Sequence, residues 1–341
     1  MSTTAPMARV CSPAGLTGCY RLDGDLLVHP AKSVIFFTTA SGAGYGLILW
    51  LGTLSAWRLL PADQGFGLAV FAVALALIVV GLLSSTLHLG HPERAWRALS
   101  QWRSSWLSRE GVAAILAFVP IGLFGIWWVF LAQNTGVALV FGIVAALAAM
   151  ITVYCTAMIY ASLKTIPAWS NGWTILSYLG LCAMTGALLL HLAVSLWGWQ
   201  VQQSTGIVAL TTTAVSLLVK LRYWSTISKP KKDSNAGTAT GLGQMGTVRL
   251  LESPHSSDNY LMKEMGFRIA REHAHKLRTI AIVTGFMIPA AALAIGLTVG
   301  ATPLMAIIAV LAACPGVVIE RWLFFAEARH VVMLYYGAEA V

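Results

Sequence analysis

Charge is what this 341-residue chain has least of: Asp, Glu, Lys and Arg together make up only 10% of it. A soluble domain carries roughly 25%, so with 57% apolar residues and a mean hydropathy of +0.75 the chain reads as an integral membrane protein. Strand-like alternation of apolar and polar residues is missing, which argues against an outer-membrane barrel. Cysteine is sparse, and the five present (Cys11, Cys19, Cys155, Cys182, Cys314) form no Cys-x-x-Cys pair and no Cys-x-x-Cys-His. That spacing leaves no iron–sulfur cluster and no c-type haem in this chain. No cleavable leader is expected, since residues 1–30 are mixed and polar without a compact apolar centre.

What the chain does have is apolar runs long enough to cross a hydrocarbon layer of ~30 Å. They lie near 33–57, 66–89, 110–132, 136–160, 173–198, 204–224, 277–299 and 302–326, the last interrupted by Pro315. The expected fold is all-α, a polytopic bundle of eight transmembrane helices. An even number of spans puts both ends on one side. Arg9, Arg21 and Lys32 precede the first run, Arg94, Arg97, Arg103 and Arg109 fill the second connection, and Lys164 and the segment 225–276 follow on the same side. The opposite connections offer only Arg58. Short cytoplasmic loops collect Lys and Arg, so both termini are expected in the cytoplasm and the chain in a bacterial cytoplasmic (inner) membrane. This asymmetry accounts for the net charge of +9 without nucleic acid as a partner.

The expected organisation is a cytoplasmic N-terminal segment (1–32), helices one to six with an interfacial helix at 92–107 (33–224), a cytoplasmic loop for partner docking (225–276), and helices seven and eight with a C-terminal tail (277–341). The interfacial helix follows from Trp96, Leu99, Trp102 and Trp106 falling on one face. Within the loop, His273 and His275 have only weak metal-ligand spacing and suit a solvated helix entrance. Its stretch from Thr247 lacks enough apolar residues to fold alone, as a docking surface would.

Four features bear on chemistry. His88, Gly90, His91, Glu93 and Arg94 crowd into seven residues where an apolar run ends. Tryptophan and arginine belts anchor membrane boundaries, but imidazole exchanges protons near neutral pH and guanidinium is a fixed donor, a pairing suited to a carrier with carbonyl oxygens such as a quinone. Gly42 and Gly46 in the first run allow close helix packing, or else a groove for a flat ring. His191 sits about 18 residues, ~27 Å, into its span; His88 lies at a different depth, so the two do not suit one haem b, and a hydrogen-bonded histidine with Ser195 as a partial partner is expected. Arg321, with Glu320 and Glu327, forms either a charge network or part of the same pocket as His88 and Arg94.

Leu87-His88-Leu89-Gly90-His91-Pro92-Glu93-Arg94-Ala95-Trp96, the eight-span plan and Thr165-Ile166-Pro167-Ala168-Trp169 resemble the membrane-anchor subunits of the dimethyl sulfoxide reductase family. Within that family, the stretch from His29 to Gly46 and Leu251-Glu252-Ser253-Pro254-His255 look like the anchor of the cytoplasmic-facing sulfite dehydrogenase. The resemblance implies a quinone-binding anchor (ubiquinone or menaquinone), normally without haem, with a molybdenum bis-pterin catalytic subunit and an iron–sulfur electron-transfer subunit as partners on the cytoplasmic side. It implies quinone contacts at His88, Gly90, Arg94, Trp96 and Arg321. The expected function is passage of electrons from sulfite oxidation to quinone. The alternatives are an anchor of a dimethyl sulfoxide or related reductase that oxidises menaquinol, and a membrane transporter, which lacks support from any internal repeat.

Overall fold

The computed structural model describes residues 30–86, 92–228, 235–249, 251, 273–300 and 302–336. Eight of its helices are long and apolar enough to span a membrane: α1 (Pro30–Ala56), α2 (Gln64–Thr86), α3 (Trp106–Leu131), α4 (Val137–Ala161), α5 (Gly172–Trp197), α6 (Gln202–Ile227), α7 (Ala274–Val299) and α8 (Thr302–Ala326). No strand occurs among the described residues. The ends of α2, α4, α6 and α8 share a side with the start of α1, and we call this the basic end.

Local chemistry sets the boundaries. Asp63 Oδ1 accepts the Phe66 amide at 2.6 Å where α2 begins, and Asn171 Oδ1 accepts the Thr174 amide at 3.1 Å where α5 begins, each satisfying an otherwise orphan donor. Helix α5 stops at Gly198 and α7 at Gly300, both in the left-handed region that glycine adopts without strain. Pro315 does not break α8, which runs through it. In a membrane bundle the freed carbonyl finds other partners, so internal proline is tolerated.

Helix α1 is the hub. It packs on α2, α4 and α5 and reaches α8, joining the group α1–α4 to the group α5–α8. The contact with α5 is backbone to backbone: a Cβ on Gly46 would lie 1.9 Å from the Cys182 carbonyl oxygen, and one on Gly186 would lie 2.0 Å from the Gly46 carbonyl carbon. Only glycine fits at either place, and such close approach replaces the hydrophobic drive that lipid does not supply. Helix α7 contains a π turn at Val283–Met287, where Gly285 meets Gly316 of α8.

Between α2 and α3 the expected interfacial helix over 92–107 is two pieces. A 3₁₀ helix spans Pro92–Gln101, a turn follows, and α3 starts at Trp106. Ser104 Oγ bonds back to the Gln101 carbonyl, the local competition that makes serine a helix breaker. Arg109 of α3 donates to the carbonyls of Trp102 and Arg103 at 3.0 and 2.7 Å, closing the turn. Leu99 packs towards Gly111, whereas Trp96 and Trp102 are exposed.

Candidate functional site

The described interior of the basic end holds a cluster of charge. Glu320 of α8 accepts Arg321 Nε at 2.6 Å and Nη2 at 2.9 Å, and it also pairs with Lys220 of α6. The three side chains are 0%, 2% and 1% exposed for Glu320, Arg321 and Lys220. Isolated charges do not persist at such depth, so pairing is the condition for their presence. Aromatic faces complete the shell. The Arg321 guanidinium lies 4.3 Å from the Tyr178 ring, and Lys220 Nζ lies 3.9 Å from the Tyr223 ring, distances at which a cation is attracted to the π face.

Glu327 pairs elsewhere: Arg278 of α7 donates to it at 2.7 Å and to Ser228 at 3.1 Å. Burial pushes the Glu327 carboxyl above the ordinary range, against the pull of the adjacent guanidinium.

The depth of Arg321 is fixed from outside its helix. Trp169, in the α4–α5 connection, donates its indole N–H to the Phe324 carbonyl at 2.9 Å and stacks on the Phe324 ring. Thr165 accepts the Val331 amide at 2.9 Å. The Thr165–Trp169 motif therefore clamps the end of α8, three residues beyond Arg321.

Arg321 also walls a narrow cleft between α1, α4, α5 and α8. Its lining includes Gly42, Thr156, Tyr178, Leu181 and Val317. The cleft is less polar than its residue names suggest, because Thr38, Thr39, Ser41 and Thr185 turn their hydroxyls back onto carbonyls of their own helices. Thr156 donates to the buried carboxyl of Glu110 from α3. Tyr178 keeps a hydroxyl with no hydrogen-bond partner among the described residues, and Arg321 keeps Nη1, which Glu320 does not engage. The wall of this cleft thus sets a guanidinium and a phenol beside the apolar faces of Leu181 and Val317. The two readings of the small-residue run in α1 divide between its glycines: Gly46 serves packing, while Gly42 meets nothing within 4 Å and lines the cleft.

Of the five residues expected to contact a ligand, His88 and Gly90 lie outside the described residues. Arg94 and Trp96 stand on the 3₁₀ segment, with Arg94 3.7 Å from Glu93 and Trp96 67% exposed; neither lines the cleft. Arg321 does line it. The residues that sequence reasoning passed over are Lys220, Glu110 and Tyr178. Lys220 had a visible signal, a cation inside an apolar run with Arg222 two residues on, since such groups are expensive in lipid. Glu110 was hidden by its place at a span boundary.

At the opposite end, His191 Nδ1 is 3.0 Å from Thr205 Oγ1 of α6. Its partner is thus Thr205, not Ser195, whose hydroxyl has no partner among the described residues. Cys155 and Cys182 are buried and free, and Cys314 is exposed. His273 and His275 are exposed, and no metal-ligand cluster exists among the described residues.

The chain is similar in sequence to known proteins. The chain is 34% identical over 328 residues to the C subunit of the sulfite dehydrogenase of Allochromatium vinosum, covering 92% of this protein and 100% of that one. It is 29% identical over 180 residues to the C component of the anaerobic dimethyl sulfoxide reductase of Escherichia coli K12, covering 51% and 62%, and 33% identical over 127 residues to the Haemophilus influenzae protein of the same name, covering 37% and 44%. A profile described as "DMSO reductase anchor subunit (DmsC)" matches residues 28–337, so the chain belongs to the DMSO reductase anchor subunit family.

Proposed function

We propose that this chain is the quinone-reactive anchor of a sulfite-oxidising molybdenum complex in a bacterial cytoplasmic membrane. An anchor of this family works in a complex with catalytic and electron-transfer subunits. In this reading a molybdenum bis-pterin subunit oxidises sulfite, an iron–sulfur subunit relays the electrons, and both dock on the cytoplasmic side at residues 225–276. Both termini face the same side, in keeping with the basic connections there. The match over the full length of the sulfite dehydrogenase anchor, against half of this chain for the reductase anchor, favours sulfite over dimethyl sulfoxide.

The observation that carries the quinone reading is the cleft walled by Arg321 and Tyr178 inside an otherwise apolar bundle. Leu181 and Val317 offer faces to a ring, and the guanidinium and phenol offer donors to its carbonyl oxygens. A quinone bound there supplies a two-electron, two-proton couple. Arg321 stabilises negative charge on the reduced oxygen, held in place by Glu320 and by the Trp169 clamp. His88, Gly90, Arg94 and Trp96, by resemblance, would form the mouth of the site at the basic end. A reductase anchor oxidising menaquinol would use the same cleft in the opposite direction.

A short-tailed azidoquinone, photolysed in membranes containing the complex, tests this. We expect label on peptides bearing Thr38–Ala43 or Tyr178–Thr185, and competition by unlabelled quinone. Label confined to lipid-facing positions would overturn the assignment. In parallel, Arg94→Ala should lower the ratio of quinone-linked to dye-linked sulfite turnover, and equal loss of both would indicate failed assembly instead.

A further inference from the structure

Holding a quinone against Arg321 leaves Lys220, Glu320 and Glu327 only partly accounted for. One carboxylate neutralises Arg321, yet Glu320 is shared with a second cation placed deep in α6. Lys220 Nζ lies 5.1 Å from the Trp224 ring, and Arg278, which holds Glu327, lies 5.8 Å from the same ring. Lys220 and Arg278 thus approach the same indole, Lys220 holding Glu320 and Arg278 holding Glu327. Glu327 follows the last residue of α8 with its amide still bonded to the Leu323 carbonyl at 2.9 Å, which puts it about two turns, roughly 10 Å, beyond Glu320, a gap that a lysine stem can help to bridge. The Glu327 side chain is only 8% exposed, and its Oε2 is buried with no hydrogen-bond partner among the described residues. Arg278, 26% exposed, marks where this row meets the surface.

We propose that Glu327, Lys220 and Glu320 form a proton route between the surface at Arg278 and the cleft wall at Arg321 and Tyr178. This rests on the quinone reading. A proton is taken up on Glu327 Oε2 and passes to Lys220 Nζ as Lys220 gives its own to Glu320; Glu320 would hand it to the hydroxyl of Tyr178 at the cleft wall as that hydroxyl gives its proton to a quinone oxygen. Each transfer breaks one N–H or O–H bond and forms another, and no electron moves through these residues. Two passages match the two electrons delivered by a one-electron iron–sulfur carrier in the partner subunit, and quinol oxidation runs the route in reverse. Arg321 keeps its proton throughout as a fixed charge. The other ionisable groups facing the row are Tyr178 of α5, Tyr223 of α6 and Arg278 of α7, with Glu110 of α3 across the cleft behind Thr156.

Glu327→Gln and Lys220→Arg, both close in shape, are introduced into the complete complex in vesicles, with dye-linked turnover as the measure of assembly. We expect each to slow quinone-linked turnover roughly tenfold or more, as loss of a proton-transfer group does, while azidoquinone labelling stays at the wild-type level. Small diffusible weak acids should restore part of the Glu327→Gln rate. On the purified protein without quinone, infrared pH titration should show a carboxyl band that protonates above the ordinary range and vanishes in Glu327→Gln. Rates within about twofold of wild type with an unchanged pH profile overturn the route. Loss of labelling together with turnover overturns it in favour of a role in shaping the cleft. Should Glu327→Gln fail to assemble, Lys220→Arg decides alone. Absence of labelling in the wild type is the separate failure of the quinone reading itself.

Discussion

The two ends of the bundle are both lined with aromatic rings, and they use them differently. At the uncharged end, Phe66 packs against Trp128, Trp197 and Trp199, and Phe71 meets Phe124 edge-on. Single hydrogen bonds tie its connections: Trp128 donates its indole N–H to the Asp63 carbonyl at 3.1 Å, and Asn134 donates to the Leu60 carbonyl at 2.8 Å. At the basic end, Tyr178, Tyr223 and Trp224 offer their faces to Arg321 and Lys220. One end closes the bundle with dispersion and single hydrogen bonds. The other accepts the penalty of buried charge, which natural bundles reserve for working sites.

Five substitutions break or sharpen that contrast. The largest effect is expected at neither end but at the contact joining the two groups of helices: Gly186→Leu leaves no room against Gly46, and the protein should fail to elute as a monodisperse species in detergent. Next, Glu320→Ala strands Lys220 and Arg321 together, and should lower stability by about 3–5 kcal/mol, read from the unfolding midpoint in denaturing detergent. Replacing Lys220 by Met in that background should recover part of the loss. Trp169→Phe keeps the ring stacked on Phe324 but drops the clamp hydrogen bond, at about 1 kcal/mol; quinone-linked turnover should fall further than stability, because Arg321 loses its fixed depth. Trp128→Phe, the matching change at the uncharged end, should cost a similar 0.5–1.5 kcal/mol, roughly, with turnover untouched. Equal losses of turnover from the two tryptophan changes would erase the distinction between the ends.

The eight spans were legible because twenty-odd apolar residues admit few other structures, and each expected run has its helix, with ends displaced by a few residues. The segment 92–107 departs from a single helix because Ser104 and Ser105, whose side chains favour a turn, outweigh the helical periodicity of its tryptophans. Of the site, Arg321 was visible as a charge inside a span. Its partner Glu320 is shared with Lys220, which lies 101 residues before Arg321 on another helix, and such pairing is settled by tertiary packing. The assignment of Gly42 to a cleft and Gly46 to a helix contact likewise depends on which neighbour faces each, a matter that spacing alone leaves open.

The π turn in α7 has a consequence for how this helix tolerates change. Its first part, Ala274–Ile282, lies on α8, while Ile288–Val299 also reaches α6. The extra residue wound into Val283–Met287 sets the phase between these two halves, since each residue of an α-helix advances the direction of its side chains by about 100°. A single deletion at that turn would swing Ala292 and Leu293, now buried, out of register with Arg278. Substitutions along α7 are thus independent of one another in their chemistry, but insertions and deletions are not: the two halves work as a lock whose tumblers are aligned by one loosened coil.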